Sequence, residues 1–158
     1  MSTMTRSIAV IGRDVFRSAL HLLMDRLTRA QRTAVMRAVR VRNTSAEIAV
    51  RRLLFSFGYR YRLHATDLPG KPDIVLRPRH CALFVNGCFW HGHHCKRGAR
   101  PSSNTKFWLP KIEGNRQRDK RVRAQLRKAG WRVLTIWECE IRQVERISVK
   151  LRKFLQGP

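Results

Sequence analysis

The sequence predicts an α/β fold in one domain, with its elements in the order helix, three strands, helix, strand, helix. The length of 158 residues suits a single domain with its own hydrophobic core. Apolar residues recur at helical spacing in the segments assigned to helices, whereas they alternate or form short continuous runs in those assigned to strands. The sequence contains no internal repeat and no low-complexity segment, so nothing points to a repeat architecture.

The first part of the domain predicts a helix and then three strands. Thr44-Ser-Ala-Glu47 is a capping-box pattern that opens a helix, and Gly58 suits the position after its last turn. Residues 59–64 alternate apolar and polar side chains, as a half-buried strand does. Two more strands are predicted at residues 73–76 and 81–85, and the near-continuous apolar character of 81–85 is typical of a fully buried strand.

The second part predicts a long helix, a strand and a final helix. Helical signal covers residues 106–129, with candidate breaks at Pro110 and Gly114. Residues 131–137 form another buried strand, whose two tryptophans we expect to lie in the core. The last amphipathic helix is predicted at residues 141–155.

The composition is strongly basic. Lysine and arginine total 34 against 10 acidic residues, which gives a formal net charge of +24. Such an excess costs self-repulsion and favours a polyanionic partner. Nucleic acid is the expected partner, and an anionic membrane surface is the alternative. Four cysteines beside a group of histidines indicate metal binding in a reducing compartment rather than a disulfide framework.

Two N-terminal segments precede the main domain, which we place at residues 44–158. Charges interrupt the apolar side chains of residues 1–27, so this extension cannot supply a transmembrane span of about 20 apolar residues. We interpret it as a gene-model extension with Met24 as the alternative start; the other interpretation is an amphipathic organelle-targeting segment. Residues 28–43 carry several arginines and no acid, which predicts a basic arm that contacts DNA phosphates or, alternatively, an ordinary solvated helix.

The most informative stretch is residues 86–95, Asn-Gly-Cys-Phe-Trp-His-Gly-His-His-Cys. Thiolate and imidazole are ligands that zinc prefers, and a structural zinc takes four ligands in a tetrahedron. Cys88, His93 and Cys95 supply three of them. Cys139, far along the chain, is the best candidate for the fourth. The alternative interpretation is that the cysteines are small buried apolar residues and the histidines belong to a solvated loop.

Hard oxygen ligands lie at the ends of two neighbouring predicted strands. Asp73 opens one strand and Val85 closes the next, so a carboxylate and a main-chain carbonyl resemble a nuclease site for Mg²⁺. On its own, Pro-Asp before a strand is also a common turn. His91 lies between the zinc ligands without being needed as one, which leaves it free to act as a general base or to position water. Glu47 is explained by capping alone.

Further motifs occur in order over about residues 26–155, and the most specific is the Gly-Cys-Phe-Trp-His-x-His-x-Cys core that begins at Gly87. With these motifs the chain resembles the very-short-patch-repair (Vsr) DNA mismatch endonucleases. The other motifs of the resemblance are Thr28-Arg29, Met36-Arg37-Ala38, Leu68-Pro-Gly-Lys-Pro-Asp73, Phe107-Trp108, Asn115, Arg118-Asp119, Gly130-Trp-Arg-Val-Leu134 and Trp137-Glu-Cys139.

The resemblance implies a restriction-endonuclease-like fold of the PD-(D/E)xK type, with a mixed sheet flanked by helices and a structural zinc site. It also implies Mg²⁺-dependent nicking of one strand 5′ of the thymine in a T:G mismatch left by deamination of 5-methylcytosine. The implied partner is double-stranded DNA with that mismatch, and mismatch-repair proteins are further candidates. Because a single-strand nick needs one active site, we expect a monomer. We also expect no membrane partner and a location in the bacterial cytoplasm, at the nucleoid.

The resemblance assigns roles to individual residues. Asp73 would bind Mg²⁺ by its side chain and Val85 by its main-chain carbonyl, so the family's threonine at the Val85 position matters little. His91 would be the catalytic histidine, and Glu47 would order the metal waters. The remaining implied roles are a structural zinc at Cys88, His93, Cys95 and Cys139, a wedge beside the mismatched pair formed by Phe89, Trp90 and Trp108, and an approach from the other groove by Met36.

One departure from the family is Asn86, because the best-known member carries a second histidine at this catalytic position. Asparagine can donate a hydrogen bond but cannot take a proton. We expect activity to survive, because His91, Asp73 and the metals remain. Two other interpretations stay open: a zinc-stabilised mismatch-binding or DNA-binding protein with impaired catalysis, and a related nuclease with a different target sequence.

Overall fold

In a computed structural model of the chain, the described residues are Thr28 and residues 42–157. Residues 42–157 belong to one compact unit. The predicted extension at 1–27, almost all of the predicted basic arm at 28–43, and Met36 within that arm lie outside the described residues.

The elements follow the predicted order of helix, three strands, helix, strand and helix. They are α1 (Ser45–Ser56), β1 (Arg62–Leu63), β2 (Ile74–Leu76), β3 (Cys81–Asn86), α2 (Thr105–Lys128), β4 (Arg132–Trp137) and α3 (Val144–Gln156), with 3₁₀ turns at Arg77–Arg79, Lys96–Gly98 and Glu138–Arg142.

The four strands form one mixed sheet in the order β1-β2-β3-β4, which confirms the predicted sheet class. β1 and β2 pair antiparallel, as do β2 and β3. β3 and β4 pair parallel over six residues, from Cys81 opposite Arg132 to Asn86 opposite Trp137. Because parallel strands end at the same edge of a sheet, the segments that follow Asn86 and Trp137 leave the sheet side by side.

The main hydrophobic core lies between the sheet and the helices α1 and α3. Helix α1 begins with the predicted capping box, in which the Thr44 hydroxyl accepts a hydrogen bond from the Glu47 amide at 3.2 Å. None of the helices among the described residues combines the length and the apolar character that crossing a membrane requires. The fully or almost fully buried core side chains are Val50, Leu54, Ile74, Leu76, Cys81, Leu83, Ile136, Ile147, Leu151 and Leu155.

Two predicted strands differ from the structure. The strand predicted at 59–64 forms a ladder only at Arg62–Leu63. Tyr59 and Tyr61 still pack against the core as the alternation predicted, but β2 is three residues long and offers little backbone to pair with. The two tryptophans of the predicted strand 131–137 are partly exposed rather than in the core. Trp131 packs on His80, and Trp137 stacks on His93.

The two later helices also differ from their predicted bounds. Helix α2 runs without a break through Pro110 and Gly114. Pro110 lies near the start of the helix, where its missing N–H removes one backbone bond, and the helix is held by the burial of Trp108, Ile112 and Leu126. Helix α3 begins at Val144 rather than at 141, because the preceding residues form the last 3₁₀ turn.

Candidate functional site

A cluster of three thiols and one imidazole lies beyond the ends of β3 and β4. The ligand atoms of Cys88, His93, Cys95 and Cys139 all lie within 4.8 Å of one another. The parallel pairing of β3 and β4 explains the distant fourth member, because it brings Cys139 beside the loop that follows Asn86. This soft donor set has the chemistry of a tetrahedral zinc site, and the structure brings all four predicted ligands together.

Glycines allow the loop that carries these ligands to fold tightly. A Cβ at Gly98 would lie 1.9 Å from the main-chain oxygen of His93. Gly92 has a φ of +59°, and a Cβ there would lie 2.9 Å from Ile112. Side chains at these two positions would therefore push apart the segment that carries His93 and Cys95.

The three thiols of this sulfur cluster (Cys88, His93, Cys95 and Cys139) differ in their pKa values. Burial raises the pKa of the Cys88 thiol and of the Cys139 thiol. Burial also acts to raise the pKa of Cys95, but hydrogen bonds with His93 and Cys88 outweigh it and bring that pKa to about 7. A bound cation would favour the thiolate form of all three, so metal binding would release protons.

The side chains of Glu47, His64 and Asp73 form a second cluster, and their ligand atoms also lie within 4.8 Å of one another. Asp73 stands just before β2, and its Oδ2 accepts a hydrogen bond from the Val85 amide on β3 at 2.8 Å. Burial raises the pKa of the Asp73 carboxyl, and the nearby charge of Glu47 adds to this rise. A cation bound at Asp73 would offset that penalty, so hard oxygen chemistry fits the cluster.

Glu47 is held firmly in this cluster. It is 3% exposed, and its carboxylate accepts hydrogen bonds from the amides of Asn43 and Thr44 and from the Thr44 hydroxyl. Arg51 donates to the same carboxylate at 2.8 Å. The capping role expected from the sequence is therefore present, and it fixes the carboxylate beside Asp73. His64 and Arg51 were not singled out from the sequence, where each resembles an ordinary surface residue.

A histidine–aspartate pair forms the third part of the site. His91 Nδ1 makes a short hydrogen bond with Asp119 Oδ2. The same carboxylate receives Asn86 Nδ2 at 3.4 Å and Arg118 Nη2 at 3.3 Å. Burial acts to raise the pKa of Asp119, but the hydrogen bond and charge of His91 outweigh it and hold the pKa below its usual value. With Nδ1 engaged, Nε2 is the nitrogen left for proton transfer.

Asp119 was not predicted as a site residue from the sequence, although the Arg118-Asp119 motif is part of the family resemblance. A signal was present in the helical spacing of α2. Asp119 follows Trp108 and Ile112, both buried, at intervals that place it on the same inward face. A carboxylate on an apolar helix face needs a partner, and His91 is that partner.

The three aromatic residues expected to form a wedge contact one another. The ring centroids of Phe89, Trp90 and Trp108 are 5.1 to 5.6 Å apart, in edge-to-face arrangements. Asn115 on α2 donates to the main-chain oxygen of Trp90 at 2.8 Å and so ties the loop to the helix. Phe89 and Trp90 are half-buried, whereas Trp108 is only 8% exposed. Phe107, beside Trp108, is 55% exposed.

Comparisons with known proteins point to one group of enzymes. The sequence profile of the family described as "DNA mismatch endonuclease Vsr" matches residues 24–97. The Type II nicking enzyme V.XorIIP of Xanthomonas oryzae pv. oryzae is 50% identical over 133 residues, 84% of this chain and 98% of that enzyme. The DNA mismatch endonuclease Vsr of Escherichia coli (strain K12) is 42% identical over 120 residues, 76% of this chain and 77% of that protein.

A solved structure with a similar fold is the catalytic domain of the homing endonuclease I-Bth0305I. The TM-score is 0.50 and the sequence identity 24%, over 71% of this chain and 94% of that domain. At this identity the likeness concerns the fold alone. It agrees with the mixed, helix-flanked sheet that carries the three groups of side chains.

Proposed function

Because the chain belongs to the Vsr family of DNA mismatch endonucleases and related nicking enzymes, we propose that it nicks one DNA strand 5′ of the thymine in a T:G mismatch left by deamination of 5-methylcytosine. The chain is a DNA endonuclease and its substrate is DNA; the mismatch and the cofactors are the proposed part. The observation that supports the proposal is the cluster around Asp73. Burial disfavours the charged form of the Asp73 carboxylate, and the Val85 amide on the neighbouring strand β3 holds that carboxylate in place.

We assign Mg²⁺ to the Asp73 side chain and the Val85 main-chain carbonyl, with Glu47 ordering the waters of the ion. When bound there, Mg²⁺ would supply charge stabilisation and an activated water at the phosphodiester. Asp73 Oδ2 is oriented by the Val85 amide, and Glu47 is fixed by its own capping bonds. The chain thus presents rigid oxygen donors and leaves the remaining positions to water and phosphate, as Mg²⁺ sites do.

His91 is the proposed general base. Asp119 holds its Nδ1, so that Nε2 is the nitrogen that takes a proton from the attacking water. Asp119 orients the ring and stabilises the imidazolium that forms. Asn86 donates its Nδ2 to the same Asp119 oxygen that His91 contacts, and it cannot itself take the proton.

The sulfur cluster is proposed to hold a structural zinc through Cys88, His93, Cys95 and Cys139. Four protein ligands complete a tetrahedron and leave no open position for chemistry. The role of the site is therefore to shape the loop between these ligands, which also carries Phe89, Trp90 and His91.

We propose that Phe89, Trp90 and Trp108 wedge beside the mismatched pair, with Met36 approaching from the other groove. A mismatch is weakly stacked, so aromatic insertion costs least there and DNA deformability becomes the readout. The free chain keeps Trp108 almost fully buried, so its contact with DNA requires this cluster to open. The contact of Met36 is proposed from the family resemblance alone.

The decisive experiment is a strand-specific nicking assay. A labelled duplex with T:G in a cytosine-methylation context is compared with its matched T:A duplex, first with Mg²⁺ and then with EDTA. We expect a Mg²⁺-dependent cut 5′ of the mismatched thymine and no cut in the control. Tight binding to T:G without any cut would instead favour a mismatch-binding protein with impaired catalysis, and Asn86 would be the first residue to revert.

A second candidate function is nicking at a different target sequence. The observation that favours it is the 50% identity to V.XorIIP, which is described as a Type II nicking enzyme. Equal nicking of matched and T:G duplexes would support this function and contradict the mismatch proposal.

In either case one active site suffices for a nick, so we propose that the enzyme acts as a monomer on chromosomal DNA in the bacterial cytoplasm, at the nucleoid. Mismatch-repair proteins are proposed partners.

A further inference from the structure

A largely buried guanidinium, that of Arg51, links two members of the carboxylate cluster, which consists of Glu47, His64 and Asp73. Arg51 lies on α1 one turn after Glu47, and its Nη2 is 2.8 Å from Glu47 Oε2. The same Nη2 is 3.3 Å from His64 Nε2, whereas Nη1 donates to Asn43 Oδ1 at 2.7 Å. The Arg51 side chain is only 12% exposed. One cation therefore holds a carboxylate of α1 and an imidazole that follows β1.

The guanidinium of Arg51 does not make all of the hydrogen bonds that it could donate. Among the described residues, Arg51 Nε is the buried side-chain nitrogen or oxygen that lacks a partner. An unmade hydrogen bond of a buried charged group costs free energy. An exposed Arg–Glu pair one helical turn apart makes the same ion pair without burying an unpaired nitrogen. The burial of the Arg51–Glu47 pair is therefore not explained by helix stability alone.

The contact with Arg51 fixes which nitrogen of His64 carries the hydrogen. A guanidinium has donors and no acceptor, so His64 Nε2 must be the accepting nitrogen. In the neutral imidazole the hydrogen is then on Nδ1. Nδ1 faces Asp73 Oδ1 at 3.9 Å, and the His64 main-chain amide donates to the Asp73 carbonyl at 3.2 Å. The two residues are thus held side by side.

The oxygen of Asp73 that His64 faces is the one the sheet leaves free. Val85 donates its amide to Oδ2, and Oδ1 faces the imidazole. The separation of 3.9 Å exceeds hydrogen-bonding distance, so a direct hydrogen bond requires a small closing movement of the two side chains.

We propose that His64 is a positioning residue for Asp73, and that Arg51 keeps it in the Nδ1–H tautomer. This inference rests on the proposed function, because Asp73 is there the ligand of the divalent ion. An Nδ1 that carries a hydrogen has no lone pair for a metal, so His64 acts from outside the ligand set. Its effect is to fix Oδ1, and thereby the direction from which the ion is held.

The chain offers a matched set of variants for the test. In His64→Asn the side-chain amide can donate near the position of Nδ1, whereas in His64→Gln it reaches towards the position of Nε2. Arg51→Met removes the guanidinium and keeps an unbranched side chain. His64 has a φ of 47°, a conformation that asparagine tolerates, and His80 has the same φ. His80→Asn therefore controls for the backbone effect of the substitution.

The experiment measures Mn²⁺ binding by EPR on the zinc-loaded full chain, with thermal unfolding of each variant alongside. Loss of an outer-shell partner typically costs 10–100-fold in metal affinity, so we expect His64→Gln and Arg51→Met to weaken Mn²⁺ binding by about that factor. We expect His64→Asn to stay within about tenfold of the parent and His80→Asn to match it. Asp73→Ala is expected to abolish binding at this site.

Unchanged Mn²⁺ affinity in folded His64→Gln would overturn the positioning role. A directly bound ¹⁴N in the pulsed-EPR spectrum of the Mn²⁺ form would also overturn it, because His64 would then be a ligand. If Asp73→Ala kept the parent's Mn²⁺ affinity, the metal assignment would fail and the inference with it. Failure of the inference alone shows a different result, in which Asp73→Ala loses the ion and the His64 and Arg51 variants keep it.

Discussion

The sulfur cluster and the carboxylate cluster are both groups of side chains that could hold a metal ion, but they are built in opposite ways. The sulfur cluster has four candidate ligands that lie together where β3 and β4 leave the sheet. The carboxylate cluster has three members, one on α1 and two beside β1 and β2. Four soft ligands close a tetrahedron, whereas a few hard ligands leave positions for water and phosphate. The sulfur cluster therefore suits a structural metal that stabilises the fold, whereas the carboxylate cluster suits a catalytic metal.

The two clusters share one physical property, which is that burial raises the pKa of some of their acidic groups. Burial raises the pKa of Cys88 and Cys139 in one cluster and of Asp73 in the other. For these three groups burial disfavours the charged form that a metal needs, and a bound cation would reverse that preference. Asp119 differs, because hydrogen bonds and charges from His91 and Arg118 hold the pKa of its carboxyl below the usual value.

The largest expected effect is the loss of a sulfur ligand. If the sulfur cluster holds a structural zinc, Cys139→Ala should lose the metal and about 4–5 kcal/mol of unfolding free energy, which lowers Tm by roughly 10–20 °C. Metal content and thermal unfolding check this. Cys81→Ala is the matched control, since Cys81 is buried in β3 outside the cluster and should keep the zinc. Equal zinc content in the parent and Cys139→Ala would refute the assignment.

The second largest effect is expected from Asp73→Asn in the carboxylate cluster, which should reduce activity without reducing stability. Asp73→Asn should reduce nicking by more than about 100-fold, the upper end of what loss of an outer-shell partner costs, while Tm stays level or rises. Burial raises the pKa of Asp73, so ionised Asp73 costs stability at neutral pH and that cost is relieved as pH falls through the raised pKa. An asparagine oxygen can still accept the Val85 amide.

The control for Asp73 is Asp67→Asn. Asp67 is a 57% exposed acid that pairs with Arg77 and lies outside both clusters. We expect its nicking rate to match the parent. A fall in Tm for Asp73→Asn as large as that for Cys139→Ala would erase the contrast between the two clusters.

The contrast also explains how far the sequence predicted the site. Cys88, His93 and Cys95 are close in the chain, so their spacing alone predicts that they bind the same metal ion. Cys139 is the cysteine that follows an apolar strand. The mixed sheet and the family are confirmed by the structure and the comparisons. Asp73 was recognisable from its motif.

The residues that sequence reasoning missed depend on contacts between distant elements. Arg51 has an ordinary helical position, and only its contact with His64, thirteen residues later, makes it part of the site. Asp119 lies on α2 and contacts His91 in the loop after β3. No local propensity encodes such contacts, because they are set by how α1, α2 and the sheet pack. The periodicity of α2 gave the one usable signal, an acid on its inward face.

The His91–Asp119 pair gives the third prediction, on activity and acid stability. Asp119→Asn should slow nicking by about 10²–10⁴-fold, the range of general acid–base catalysis. The hydrogen bond and charge of His91 hold the pKa of Asp119 below its usual value in the folded chain. The pair therefore contributes stability that is present above the unfolded pKa and lost as pH falls through the lower folded pKa. Acid titration of unfolding should show the parent losing stability in that range and Asp119→Asn losing less.

Asn86→His should have the smallest effect on the enzyme. Asn86 is 8% exposed and donates to the same Asp119 oxygen that His91 contacts, so it already supplies the orienting bond that a second histidine would make. A histidine adds proton-transfer capacity that His91 provides, and we expect only a modest rise in the nicking rate, well below the about 10²-fold of a full general base. Single-turnover nicking of the T:G duplex measures it. An inactive parent that Asn86→His restores would show instead that His91 and Asp119 do not suffice, and that the chemistry of the carboxylate cluster needs a second imidazole beside it.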